Sequence, residues 1–227
     1  MIKNSKTYIA FDEGCGALLT AKGFTRHEAG DYSRVGEDGL DRLLVDERAG
    51  KGRFVVFMSY YPKDLEFVYK LSDAKEPRGF PVGPYLGFNG VFNREYVWAG
   101  KSLELVKNAP PQIVLAIESY GLPWLDSLRD PVYFSQQVDK SAVLYAAVAF
   151  ERAGFIEEAK QYYAVMYARL RAGLAGGVSE QQFIKIAGKR FAFVARKLGR
   201  DQELVGRTER ILNWSCPALP IDTRKQQ

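Results

Sequence analysis

One imidazole, His27, and two thiols, Cys15 and Cys216, are the chain's candidates for nucleophilic or metal chemistry. A single histidine excludes triads and metal centres that need two, and His27 sits in the polar run Thr25-Arg26-His27-Glu28 before a turn, which reads as surface with no evident nucleophile beside it. The cysteines are far apart in sequence and belong to no C-x-x-C or Cys/His cluster. Cys15 falls on an apolar helical stripe and is expected in the core, which suits a reducing compartment. Adjacent carboxylates occur at Asp12-Glu13, Asp46-Glu47 and Glu157-Glu158, but neighbours on a helix or strand diverge rather than meet on one substrate atom. Glu157 and Glu158 suit the positive end of a helix instead. A glycosidase-like pair would have to come from carboxylates distant in sequence. The runs Gly14-Cys15-Gly16 and Gly83-Pro84-Tyr85-Leu86-Gly87-Phe88-Asn89-Gly90 lack the spacing of a phosphate cradle, and the first is expected to ease helix packing. No catalytic, metal-ligating or cofactor-binding residue is assigned, and no cofactor is expected.

Two stretches suit binding. Pro77 to Asn93 carries prolines and glycines at a density that regular structure rarely tolerates, so it reads as a long loop. Its aromatic residues Tyr85, Phe88 and Phe92, with Arg94, could anchor a partner, although a tolerated insertion accounts for them equally well. The second stretch is basic. Met1 to Val178 holds 22 basic and 22 acidic residues, whereas Ser179 to Gln227 holds 10 and 5, so the whole net charge of +5 is C-terminal. Lys185, Lys189, Arg196 and Arg200 fall near one helical face, with Phe183, Ile186, Phe193, Val194 and Leu198 expected on an apolar face opposite. That stripe could meet an acidic protein or phosphates, but no nucleic-acid recognition motif accompanies it.

The elements that must position these residues follow from periodicity. Tyr8, Phe11, Cys15, Leu18 and Leu19 mark an amphipathic helix stopped by Gly23. Tyr32 to Val35, Leu40 to Arg48 and Arg53 to Tyr61 are strands, separated by the glycine-containing turns Gly36 to Gly39 and Ala49 to Gly52. Both faces of the third run are apolar, which predicts a central strand. Leu65, Phe67, Tyr69 and Leu71 alternate with other residues and permit a further strand, with a helix from Pro62 as the alternative, and Arg94 to Trp98 could add a last one. From Ser102 the spacing turns helical. Helices are predicted from Pro110 to Tyr120, ended by Gly121-Leu122-Pro123, then a short turn at Trp124, Leu125 and Leu128. A helix capped by Asp139 runs to Ala153, a second from Phe155 to Ala172, a third from the Ser179/Gln182 capping box to Gly199, and a last from Asp201 to Asn213. The expected fold is α+β, an N-terminal helix and antiparallel sheet (1–130) followed by an all-helical part (131–227).

Several short motifs carry a resemblance. An opening helix, Gly23-Phe24-x-Arg26 leading to Tyr32-x-Arg34, Phe54-Val55-Val56 on a later strand and Leu122-Pro123-Trp124-Leu125 make the portion from about Lys6 to Asp130 similar to the bacterial family called domain of unknown function 4304. That resemblance implies no catalytic residues, and some members' gene neighbourhoods imply toxin immunity. The hairpin from Ser141 to Arg169 resembles one tetratricopeptide unit through Ala147, Phe150, Gly154, Ala159 and Tyr163. No second copy follows at an interval of about 34 residues, and a solenoid needs about three.

An apolar fraction of 47% and 26% charge are those of a globular chain, and no run is long enough to span a bilayer or serve as an export signal. The expectation is a cytoplasmic, non-enzymatic protein-binding module whose partner could be a cognate toxin. An enzyme with an interdomain pocket near Tyr60, Tyr61, Tyr85, Arg94 or Trp98, and a nucleic-acid binder acting through the basic helices, are the alternatives.

Overall fold

The computed structural model describes residues 6–48, 53–71 and 110–217. The protein is α+β, with an N-terminal helix, a four-stranded antiparallel sheet and helices thereafter. It divides into two compact units, 6–48 with 53–63 and 110–129, and 64–71 with 130–217.

In the first unit, α1 (Lys6–Ala21) buries Tyr8, Phe11, Cys15 and Leu19, the stripe expected from spacing, and Gly23 at φ +82° ends it. The sheet is a meander of β1 (Thr25–Glu28), β2 (Asp31–Val35), β3 (Gly39–Arg48) and β4 (Arg53–Pro62), in that order. Register pairs Tyr32 with Leu43 and Val45 with Val56, so these side chains share a face, and Phe11 meets the Tyr32 ring at 6.2 Å. At the β1–β2 turn only glycine fits. Gly30 has φ +72°, and a Cβ there would lie 2.9 Å from Tyr8 and 3.0 Å from Val45.

Three expectations change here. Strand β1 was not foreseen, because all four of its residues are exposed and no apolar alternation announces it. Although both faces of β4 are largely buried, as in a central strand, among the described residues it has one strand neighbour and stands at the sheet's edge. The expected stop at Gly121-Leu122-Pro123 is absent. Helix α3 (Pro110–Ala116) passes through a π-helical turn (Ile117–Gly121) into α4 (Leu122–Ser127), and the Leu122 N–H reaches back to the Ile117 carbonyl. The wider turn makes room for the Pro123 ring and its missing N–H without breaking the chain's course.

The second unit begins with a 3₁₀ turn (Lys63–Leu65) that leads into α2 (Glu66–Lys70), a helix where a strand was the first expectation. Leu65 in the turn, Val68 on α2 and Leu71 at its C-cap are buried, a spacing of three that the apparent alternation hid. Helix α5 (Pro131–Gln137) is capped by Asp130, whose carboxylate accepts from the Val132 N–H. Asp139 caps no long helix; it accepts from the Ser141 N–H, and α6 (Val143–Arg152) starts later. Every residue of α6 from Val143 to Ala149 is buried, which makes it the unit's central helix. It packs on α5 and on α7 (Ile156–Ala175), with Tyr145 meeting Phe134 of α5 and Tyr69 of α2. Ala147, Ala159 and Tyr163 are buried in the α6–α7 hairpin, and Phe150 stacks on Tyr162. The Ser179/Gln182 capping box opens α8 (Glu180–Lys197), which packs on α7 and on α9 (Gln202–Leu212). Replacing Gly30 by Ala should lower unfolding free energy by about 2–4 kcal/mol, from the left-handed backbone and from overpacking together. Urea denaturation measures it, and a loss below about 0.5 kcal/mol would show that the turn relaxes freely.

Candidate functional site

Of the sequence-derived partner residues, Tyr85, Phe88, Phe92 and Arg94 lie outside the described residues, as does Trp98. Tyr60 and Tyr61 are buried in the first unit. The Tyr60 hydroxyl donates to the Asp38 carbonyl.

The basic stripe is dispersed by its own packing. Arg196 donates to Glu209 on α9, Arg200 lies 5.2 Å from the Tyr167 ring of α7, and Lys189 is half-buried. Lys197 is drawn inward by Glu151, which also accepts from the Tyr163 hydroxyl. Lys185 stands exposed in the first half of α8, while Arg196 and Arg200, also exposed, lie at and beyond its far end. Ile186, expected on the apolar face, instead points outward at 68% exposure. The true buried face is Phe183, Ile184, Ala187 and Phe191 to Ala195, which turns Ile186 into solvent beside Lys185 and one turn from Lys189 and Arg190.

Sequence reasoning missed a cleft on the first unit, about 330 Å³ in volume, between α1 and the β1–β2 hairpin. Asp12 organises it. Its Oδ2 accepts from Arg26 Nε at 3.0 Å and pairs with a terminal guanidinium nitrogen at 2.7 Å, while Oδ1 accepts from the Gly30 N–H at 3.1 Å and the Tyr32 hydroxyl at 2.7 Å. Ile9, Glu13, Gly16 and Thr20 complete the α1 wall at helical spacing. The helical spacing of these residues was readable, but nothing in the sequence showed which strand would face them. Burial pushes the Cys15 thiol up to about 12, helped by the negative charge of Asp12, so at neutral pH it is no nucleophile. Burial also raises Tyr32, reinforced by its bond to Asp12, and keeps the phenol protonated.

His27 does have a hydroxyl neighbour, since its Nε2 and Ser33 Oγ share a hydrogen bond across β1 and β2. Ser33 is 9% exposed, and among the described residues no carboxylate bonds the other ring nitrogen, so the pair lacks the access and the orienting group of a catalytic dyad. A second polar cluster joins β2, β3 and the end of α4. Asp41, 1% exposed, receives both Arg34 and Arg129 on Oδ2, with Asp38 and Asp126 also bonded to Arg129. Burial alone would lower the Arg129 guanidinium, but Asp41 and the two outer aspartates raise it, and it stays charged. Among the described residues no group of three His, Cys, Asp or Glu is placed to hold a metal ion, and no helix is long and apolar enough to cross a membrane.

Comparison of the chain with protein-family models, with curated proteins and with solved structures finds no match.

The raised groups fix the direction of a pH effect. Cys15 starts from an ordinary value of 9.0 and Tyr32 from 10.0; folding raises both, so their contribution is complete below those values and is lost as pH climbs through the folded ones. The urea midpoint should therefore fall as pH rises from 9 towards 12, and in the native protein at neutral pH a thiol reagent should label Cys216 ahead of the buried Cys15. Rapid native labelling of Cys15, or a midpoint that rises over that window, would contradict the burial argument.

Proposed function

We propose that this chain is a non-enzymatic protein-binding module that uses the outer face of α8, in its most concrete form an immunity protein neutralising a toxin encoded beside it. The observation that carries the reading is Ile186, 68% exposed and surrounded by Lys185, Lys189 and Arg190 on a helix whose opposite face is fully committed to the core. Burying such a side chain against a partner is worth about 1.5–3 kcal/mol, and the cations around it select a partner surface that is acidic around an apolar socket. Arg190 is held for this role by its own helix, since a guanidinium nitrogen donates to the Ile186 carbonyl at 3.3 Å. The similarity of the N-terminal motifs to the domain of unknown function 4304 supplies the toxin context. The dispersal of Arg196 and Arg200 onto intramolecular partners weighs against a phosphate-tracking stripe, which needs several free cations in a row.

Titration calorimetry with the product of the adjacent gene, joined to a survival assay in which the chain is co-expressed with it, tests the reading. Ile186→Asp and Lys185→Glu should each weaken the complex about tenfold or more and reduce protection, whereas Glu158→Gln, on the exposed first turn of α7, should leave both unchanged. No complex and no protection, or a complex indifferent to Ile186→Asp, would remove the proposal. A salt-dependent gel shift abolished by Lys185→Glu would reassign the surface to nucleic acid.

A further inference from the structure

Along the outer face of α8 the surroundings change within about two turns. Ile186 is 68% exposed, Arg190 is partly exposed and Phe193 is fully buried, so Arg190 stands where the surface proposed above meets the core. Its guanidinium is poorly matched to that place. Nε is buried without a hydrogen-bond acceptor, and a terminal nitrogen reaches the Ile186 carbonyl only at 3.3 Å, beyond the usual N–H···O range. That carbonyl already accepts the backbone N–H of Arg190 within the helix. Neighbouring cations are committed, Arg196 to Glu209 and Lys197 to Glu151, whereas among the described residues no carboxylate pairs with Arg190. A buried donor left unmet lowers stability, so the fold tolerates this seat rather than using it.

We propose that Arg190 is the residue through which α8 recognises a carboxylate side chain of its protein partner. The guanidinium swings off the helix backbone and takes the carboxylate in the planar two-bond fork that arginine alone offers. The inference rests on the reading of α8 as the partner surface and names the group that decides its specificity. Leaving the helix costs little, because the bond released is long and shared and the Nε carried out has no acceptor where it stands. An acidic side chain beside the apolar socket for Ile186 satisfies Nε and one terminal nitrogen together. Lys185 adds charge to the same contact without that geometry. A neutral partner would leave Nε unpaired.

The test pairs a measurement on the free chain with one on the complex. In the free full chain Arg190→Met keeps most of the side chain's apolar stem and removes the unmet donor, so the urea midpoint should rise, by about 0.5 M. An arginine that merely held the fold together would lower the midpoint when replaced. In titration calorimetry with the product of the adjacent gene, Arg190→Lys and Arg190→Met should each weaken the complex about tenfold. Arg169→Lys, at an exposed position of α7, should leave it unchanged. The expected signature is thus a methionine variant that folds more stably and binds more weakly. A midpoint that fails to rise would overturn the role of Arg190, and so would Arg190→Lys binding as tightly as the native chain while Ile186→Asp weakens the complex; the α8 surface would stand in either case. Absence of any complex, or a complex indifferent to Ile186→Asp, would remove the surface and the role of Arg190 together.

Discussion

The first unit is held in register by one carboxylate. Asp12 projects from α1 and collects the Gly30 N–H, the Tyr32 phenol and the Arg26 guanidinium from three separate positions on the β1–β2 hairpin. Without it the Gly30 N–H and the Tyr32 hydroxyl would lie against an apolar helix face, and unmet buried donors cost about 1–3 kcal/mol each, whereas the half-exposed Arg26 adds a weaker, solvated pair. The constraint propagates through Gly30. Its N–H faces Asp12, its carbonyl accepts from the Val45 N–H at 2.8 Å, and its missing Cβ lets Tyr8 and Val45 close over it. Helix, turn and β3 are therefore fixed by neighbouring atoms of one residue, and the cleft beside Asp12 follows from this clasp.

The same economy recurs elsewhere with different chemistry. In the second unit Glu151, at the end of α6, accepts from Tyr163 on α7 and Lys197 on α8, so one partly buried carboxylate joins three consecutive helices. Burial and that bond raise the Tyr163 phenol, which keeps it a donor. In each unit a charge from one helix is answered by groups far away in sequence. Such links specify which faces meet, a choice that apolar contact alone leaves loose.

These long-range links explain what was legible beforehand. The stops at Gly23, Gly154 and Gly199, each with positive φ, and the Ser179/Gln182 capping box are local devices and could be read from neighbouring residues. So could the buried stripe of α1 and the strands β2 to β4, where alternation is strong. Strand β1 carries Thr25, Arg26, His27 and Glu28, all exposed, and is a strand because β2 pairs with it. Leu65 to Leu71 satisfied two periods at once, and only tertiary burial of Leu65, Val68 and Leu71 selects the helix. The cleft was invisible for a related reason. Asp12 looked like half of a solvated pair with Glu13, since its partners lie 14 to 20 residues further on.

Ile186 shows how a small angular error can invert a functional reading. On α8 it lies about 200° round the helix from both Ile184 and Gly188. A Cβ on Gly188 would come within 2.9 Å of Thr208 and 3.2 Å of Leu212, so α9 sits close against that position and fixes the helix's rotation. With Gly188 turned to α9, Ile184 is buried and Ile186 must point away from the core. Residue type assigned Ile186 to the apolar face, but helix rotation is decided by where the backbone of a neighbour can approach most closely. A glycine inside an amphipathic helix is the stronger signal, because it marks the contact that no bulkier residue could make. The exposed isoleucine is thus a consequence of the packing between α8 and α9, and the basic residues around it acquire an apolar centre that charge counting alone did not reveal.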